Sequence, residues 1–337
     1  MILYRAFKAA FLFSLFMGNT YGAEYFQTNS IHVVNNGPVS NLFGFVRPEV
    51  DTNKAVGTIG LSSQLELSNY ISSTVKQDDS FFIDGETLVF RNTAKYQLNN
   101  TISLSTSIPW YKHSGGSADN FIYKFHELLQ LPQNGRTENN QDNIRWLLRS
   151  NNQTLLDIDN EMSGWGDLSI TAQLTPSDKP SVRWTFMTKL PTGDFSRQTG
   201  SEKFDLGVAV SQINPDWVRN RRFLSDIQLA FWYGAGLSYL GEVEALKELN
   251  QKPYAFTFRT GFAYAPFESW HLKCQLDAQS PIYETKIREL GWYPVLISFS
   301  SVHKLSETTN FEFAIVEDIR PRSGPDIIFQ TRLDTFF

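Results

Sequence analysis

Five histidines, His32, His113, His126, His271 and His303, are the first candidates for chemistry in this chain. No two stand at HxxxH or HxxEH spacing, so no helical face would present a zinc pair. His113 is followed directly by Ser114, with Asp119, His126 and Glu127 in the same stretch. A serine nucleophile, a histidine base and an acid to orient it would make a lipid hydrolase. Neighbours on an extended strand point apart, however, and no Gly-x-Ser-x-Gly elbow occurs. Lys112 to Gly116 reads equally as a tight loop entrance that uses two glycines for special backbone angles. Asp157, Asp159 and Glu161 alternate without the glycine of an EF-hand loop, which reads as a solvated strand end rather than a calcium site. The single cysteine, Cys274, excludes internal disulfides and CxxC redox chemistry. The expectation is a protein with no cofactor, no metal and no enzymatic role, with a hydrolase built on His113 and Ser114 as the lesser alternative.

A second set of side chains is more informative. Arg91, Lys95, Arg183, Lys189, Arg259, Lys273 and Arg332 fall on one parity of extended stretches, together with Glu66, Asp167, Asp205, Asp226, Asp277, Glu312 and Asp334. The signs balance, whereas a pore for sugar acids would show one dominant basic track. Either these charges pair across an enclosed space and close it, or they stay apart and leave a water path. The seven cations and Asp277 are the candidate solute-binding groups.

The elements that must position them are strands. Tyr254, Phe256, Phe258, Phe262 and Tyr264 alternate with Ala255, Thr257, Arg259, Gly261 and Ala263. Trp270, Leu272, Cys274 and Leu276 alternate with His271, Lys273, Gln275 and Asp277, and Trp184, Phe186 and Thr188 with Arg183, Thr185 and Lys189. One parity is apolar and the other polar or small, as a wall between lipid and a wet lumen requires. About twelve strands of ~10 or more residues are expected, over 56–69, 84–98, 100–111, 165–175, 181–191, 203–213, 222–240, 253–264, 268–280, 293–303, 307–317 and 325–337. A sheet that long would close into an antiparallel transmembrane barrel to remove its edges. Short and long links alternate along it, as periplasmic turns and outer loops do. Residues 143–158 could add two strands, making fourteen, but look too short to span and read as a hairpin projecting from the outer loop 112–163. Within that loop, Ala118 to Leu131 reads as an amphipathic helix. Its Phe121 and Phe125, with His113 and His126, would form a lid over the barrel mouth, or pack on the outer rim.

Composition agrees. The chain has 337 residues, of which 19% are charged and 14% aromatic, including 27 Phe. The usual charged share is about 25%. A net charge of −5 argues against a nucleic-acid partner. Mean hydropathy of −0.28 excludes a helical membrane bundle. Residues 1–23 read as a signal peptide: Arg5 and Lys8, then the apolar run Ala9 to Met17, then small residues before a cut. The run is too short for a retained transmembrane helix. At the other end the alternating strand finishes on Phe337, which resembles the C-terminal signal that barrel-assembly machinery reads on outer-membrane proteins. The expected address is therefore the Gram-negative outer membrane. Residues 24–54, with Asn35-Asn36-Gly37-Pro38 and Pro48, are poor strand material and form either a periplasmic tail or a partial plug. The barrel proper is 55–337.

Several stretches carry a family resemblance. They are Asp84-Gly-Glu-Thr-Leu88, Ile108-Pro-Trp-Tyr-Lys-His-Ser-Gly-Gly116, Asp119 to His126, Leu131-Pro132 and Asn134-Gly-Arg136, then Ser163-Gly-Trp-Gly-Asp167 and Lys189-Leu-Pro-Thr-Gly-Asp194. Together they resemble a bacterial outer-membrane family known as domain of unknown function 3187, over almost the whole mature chain. The last two also resemble a family assigned to outer-membrane transport and found with phenol meta-cleavage pathways. The resemblance implies location and architecture, not an activity. The function expected from the residues is a narrow channel or facilitated-diffusion transporter for small solutes. Inward Gly207, Ala209, Gly234, Gly236, Gly261 and Ala263 would leave room for its lumen. A closed structural or surface-interaction barrel is the alternative, and a lipid-modifying enzyme the more remote one.

Overall fold

A computed structural model describes residues 28–51, 54–76, 79–116, 143–215, 228–267, 269–320 and 324–337, together with 123, 124 and 127. The described residues form fifteen strands: β1 (Ile59–Lys76), β2 (Asp79–Gln97), β3 (Ile102–Ser114), β4 (Arg145–Ser150), β5 (Gln153–Ile158), β6 (Met162–Trp165), β7 (Ser169–Leu174), β8 (Val182–Lys189), β9 (Asp205–Asn214), β10 (Gln228–Leu240), β11 (Tyr254–Phe267), β12 (Trp270–Gln279), β13 (Val295–Lys304), β14 (Thr309–Asp318) and β15 (Ile327–Phe336). Twelve of them, β1–β3 and β7–β15, close an antiparallel barrel. Consecutive wall strands pair, β3 pairs with β7, and β15 pairs back onto β1 from Gly60↔Phe336 to Asn69↔Ile327.

Alternation sets the register, because a slip of one residue would turn every lipid-facing side chain inward. On β11, Phe256 and Phe258 are 62% and 48% exposed while Arg259 between them and Gly261 is 0% exposed. Trp184 and Phe186 on β8 likewise point out, and Arg183 and Lys189 are buried inside. Arg259↔Asp277 and Lys189↔Asp205 are directly opposed across their strand pairs, so opposite charges meet on the inner face.

Residues 143–158 do form a projecting hairpin, not two further wall strands: β4 pairs with β5 and docks on the outer end of β2, from Ser80↔Arg149 to Asp84↔Arg145. β6 lies against Trp110–His113 of β3. β1 and β2 run 18 and 19 residues, well past the expected 56–69 and 84–98. The extension Asn69-Tyr-Ile-Ser-Ser-Thr-Val-Lys76 lost the apolar/polar alternation because it faces a protein core rather than lipid on one side and water on the other. Of the helix expected over 118–131, Tyr123, Lys124 and Glu127 are described and helical; Phe121, Phe125 and His126 lie outside the described residues, as does Asp226.

Two regions fill the barrel. Residues 28–51 thread its interior, and an apolar core caps its outer end. That core joins Val39, Leu42, Phe43 and Phe45 to Tyr70, Phe81, Trp146, Leu148, Leu240, Leu246 and Tyr283. It draws on β1, β2, the β4–β5 hairpin, and the links after β10 and β12.

Candidate functional site

The lumen is the candidate site, and its wall is built of paired charges. Lys189 Nζ lies 2.6 Å from Asp167 Oδ2 and 3.1 Å from Asp205 Oδ2. Arg259 Nε is 2.7 Å from Asp277 Oδ1, and Lys273 Nζ 3.1 Å from Glu312 Oε1. Arg91 Nε sits 3.4 Å from Glu66 Oε1, and Arg332 Nε 2.8 Å from Asp334 Oδ1. Lys95 pairs with Asp51. Arg183 donates to the Asp51 carbonyl at 2.6 Å and to Gln173 Oε1 at 3.2 Å. All eight candidate lumen residues are thus on the inner face, each engaged with a partner.

Several of those partners come from residues 28–51. The chain rises from the short-turn end of the barrel along β12, where Lys273 donates to Asn29 Oδ1 (2.7 Å) and the Ile31 amide to Gln275 Oε1 (2.9 Å). Asn36 then donates to Glu66 Oε2 at 2.6 Å. The chain turns at Gly37–Leu42 under the outer cap, with Val39 at φ 70°, and descends along β8 to β11. On the way down the Gly44 amide donates to Asp205 Oδ2 (2.7 Å), the Val46 amide to Ser238 Oγ (2.9 Å), and Thr257 Oγ1 to the Val46 carbonyl (2.8 Å). The two arms meet where the Ser30 amide donates to the Val50 carbonyl at 3.0 Å.

This path corrects one expectation. The small inward residues do not leave open space. A Cβ on Gly207 would stand 2.4 Å from Val46, one on Gly234 2.5 Å from Pro48, and one on Gly261 2.6 Å from the Trp232 ring. The glycines are where residues 46–48 and Trp232 press against the wall.

Open space remains on the other side. A cavity of about 200 Å³ lies between the segment and the wall formed by β15, β1, β2, β3, β7 and β8. Its lining mixes charge (His32, Arg47, Glu49, Arg91, Lys95, Arg332), hydroxyls (Ser62, Thr93, Ser107) and apolar groups (Val34, Phe45, Met187). His32 Nδ1 and Glu49 Oε1 are 2.6 Å apart within the segment.

His113 and Ser114 do not form a nucleophile–base pair. His113 is fully buried, stacked on Tyr111 and edge-on to Trp146 at 4.9 Å. Nδ1 meets Thr87 Oγ1 at 2.8 Å and Nε2 meets the Gln198 carbonyl at 3.2 Å. With both ring nitrogens engaged, the imidazole has no free lone pair for Ser114. It joins β2, β3 and the link after β8 beneath the cap.

His32, Arg47, Glu49 and Asp51 are the lumen residues that sequence reasoning missed. A signal was present: Arg47, Glu49 and Asp51 alternate with Val46, Pro48 and Val50, the period of a strand with one wet face. Pro48 hid it, because it argues against a central strand.

The folded chain has counterparts among solved barrels. It superposes on an outer membrane channel from Pseudomonas putida F1 with TM-score 0.54 at 12% identity, covering 84% of this chain and 96% of that one. It matches the NanC porin with TM-score 0.43 at 7% identity, over 83% and 99% of the two chains. The CymD monoaromatic hydrocarbon channel matches with TM-score 0.38 at 10% identity, over 84% and 89%. No curated protein matches by sequence. The first of these likenesses establishes the barrel as one of the outer-membrane fold. A family model matches residues 20–334, nearly the whole chain, and the protein therefore belongs to the family described as "Protein of unknown function (DUF3187)".

Proposed function

We propose that the protein is a narrow outer-membrane channel for small solutes, gated by its own residues 28–51, which act as a plug. The carrying observation is the cavity beside that segment: a polar, charge-lined space running along a plug that is tied to the wall by hydrogen bonds and ion pairs and packed at its turn into the apolar cap. The neutral hydrogen bonds among these exchange with water at little net cost, about 0.5–1.5 kcal/mol each, so movement would begin in the arms beside the cavity rather than at the turn packed into the apolar cap. The solute would meet Arg91, Lys95, Arg183, Lys189, Arg259, Lys273, Asp277 and Arg332 as it passes. The outer loop around His113, Phe121, Phe125 and His126 would narrow the mouth. In this reading residues 1–23 are removed on export and barrel-assembly machinery reads Phe337.

Planar-bilayer recording of the mature protein and of a variant lacking residues 28–51 tests the proposal. The parent should open rarely and the variant conduct steadily. The apolar cap over the mouth favours a second reading, a closed structural barrel. A variant that inserts as an intact barrel yet conducts no ions would select it.

A further inference from the structure

Six basic side chains line the cavity, and five have an acidic partner: His32 with Glu49, Arg91 with Glu66, Lys95 with Asp51, Lys189 with Asp167, Arg332 with Asp334. Arg47, on the descending arm of the plug, has no hydrogen-bond or ion-pair partner for its guanidinium among the described residues. Arg259 and Arg91 are close enough to act on it as like charges, and Glu49 and Asp277 as opposite ones. Both acids are already committed, Glu49 to His32 and Asp277 to Arg259. A guanidinium enclosed in a barrel among other guanidiniums, with the carboxylates that act on it already occupied, favours an added anion.

We propose that Arg47 anchors the carboxylate of a small organic acid in this cavity. A guanidinium presents two parallel N–H donors that match a carboxylate in a fork. The remaining wall suits an organic body: Val34, Phe45 and Met187 supply apolar contact beside Ser62 and Thr93. An inorganic oxyanion would leave that apolar surface unused. The consequence for transport, a preference for carboxylate solutes, rests on the channel reading; the binding site itself does not.

Calorimetric titration of the full-length mature protein in detergent with benzoate, benzamide and inorganic phosphate separates these ideas. Benzoate should bind the parent. Arg47→Gln should weaken it at least about tenfold, equivalent to about 1.4 kcal/mol, and Arg47→Lys should retain part of the affinity. Benzamide has the same shape without the charge and should bind at least about tenfold more weakly. That comparison needs no variant, so it stands even if Arg47→Gln fails to fold. Equal benzoate affinity in the parent and a heat-modifiable Arg47→Gln barrel would overturn the site. Equal binding of benzamide would do the same, and phosphate binding as tightly as benzoate would overturn the carboxylate class. Bilayer recording is scored separately. Benzoate binding without conductance would support the site and reject the channel; conductance without benzoate binding would do the reverse.

Discussion

Lys189 shows how much one side chain can hold. Its ammonium reaches Asp167, Asp205 and the carbonyl of Leu42 at 3.0 Å, so it joins β8, β9 and the plug's turn in one buried knot. Lys189→Met would leave two buried carboxylates facing each other. Breaking a buried pair this way costs about 3–5 kcal/mol, whereas the exposed pair Lys304–Glu307 is worth at most about 1 kcal/mol. Lys189→Met should therefore lower the temperature at which gel mobility changes and expose residues 28–51 to protease, with Lys304→Met as the silent control. Matching melts for the two variants would show that the knot does not hold the plug. The lipid face makes an independent residue-scale test. Phe258 lies four positions along β11 from the outer-end residue Tyr254. An arginine on this face costs ~2–4 kcal/mol at mid-membrane and ~0–1 kcal/mol near the interface. Phe258→Arg should then cut the yield of outer-membrane barrel far more than Tyr254→Arg. Equal yields would mean that β11 sits at a different depth.

At the scale of elements, the barrel seam and the cap behave differently. β15 closes onto β1, and Phe337 extends that seam: its amide donates to the Ile59 carbonyl at 2.8 Å and its carbonyl accepts from the Ile59 amide at 3.1 Å. Its ring is 73% exposed. Deleting Phe337 removes both the ring and two seam hydrogen bonds, while Phe337→Ala removes the ring alone. If the ring is the assembly signal, both variants should assemble slowly when folding is followed in cells by heat-modifiable mobility. Normal kinetics for Phe337→Ala with slow kinetics for the deletion would assign the effect to the seam instead. The cap is legible in sequence only in part. The β4–β5 hairpin has its own local pattern, Trp146, Leu148 and Leu156, so its existence could be read. Its destination could not, because the docking surface is the outer half of β2, more than 60 residues earlier in the chain. Because wall closure makes no use of the hairpin, replacing 145–158 by a short polar linker should leave a heat-modifiable barrel. Its conductance should rise, since Tyr70 and Phe43 lose the Trp146 side of their core. An intact barrel whose conductance does not change would show that the cap is not what closes the mouth.

For the whole molecule, period-two patterning revealed the wall and said little about the contents. Each wall strand is specified by its own residues and its neighbours, so twelve strands can be counted one at a time. The lumen is specified by contacts between distant parts of the chain, such as Asn29 with Lys273, 244 positions apart. No local pattern carries such information. Gly207, Gly234 and Gly236 looked like room for solute, and are room for Val46 and Pro48. The same geometry bears on the expected removal of residues 1–23. The ascending arm begins near Asn29, opposite Lys273, three residues from the start of β12 and so close to the short-turn rim, the end expected to face the periplasm. An uncleaved leader would place the apolar run Ala9 to Met17 within about 20 extended residues of that rim, tethering the plug to the membrane it came through. On the channel reading, free movement of the plug would therefore require removal of that run, with the cut expected near Glu24. The mature protein recovered from the outer-membrane fraction should have an intact mass matching a chain that starts there. A variant with the cleavage region blocked should still fold its barrel, yet remain with the inner membrane and show no openings in bilayers. Recovery of full-length, uncleaved protein from the outer membrane with parent-like openings would separate leader removal from plug movement.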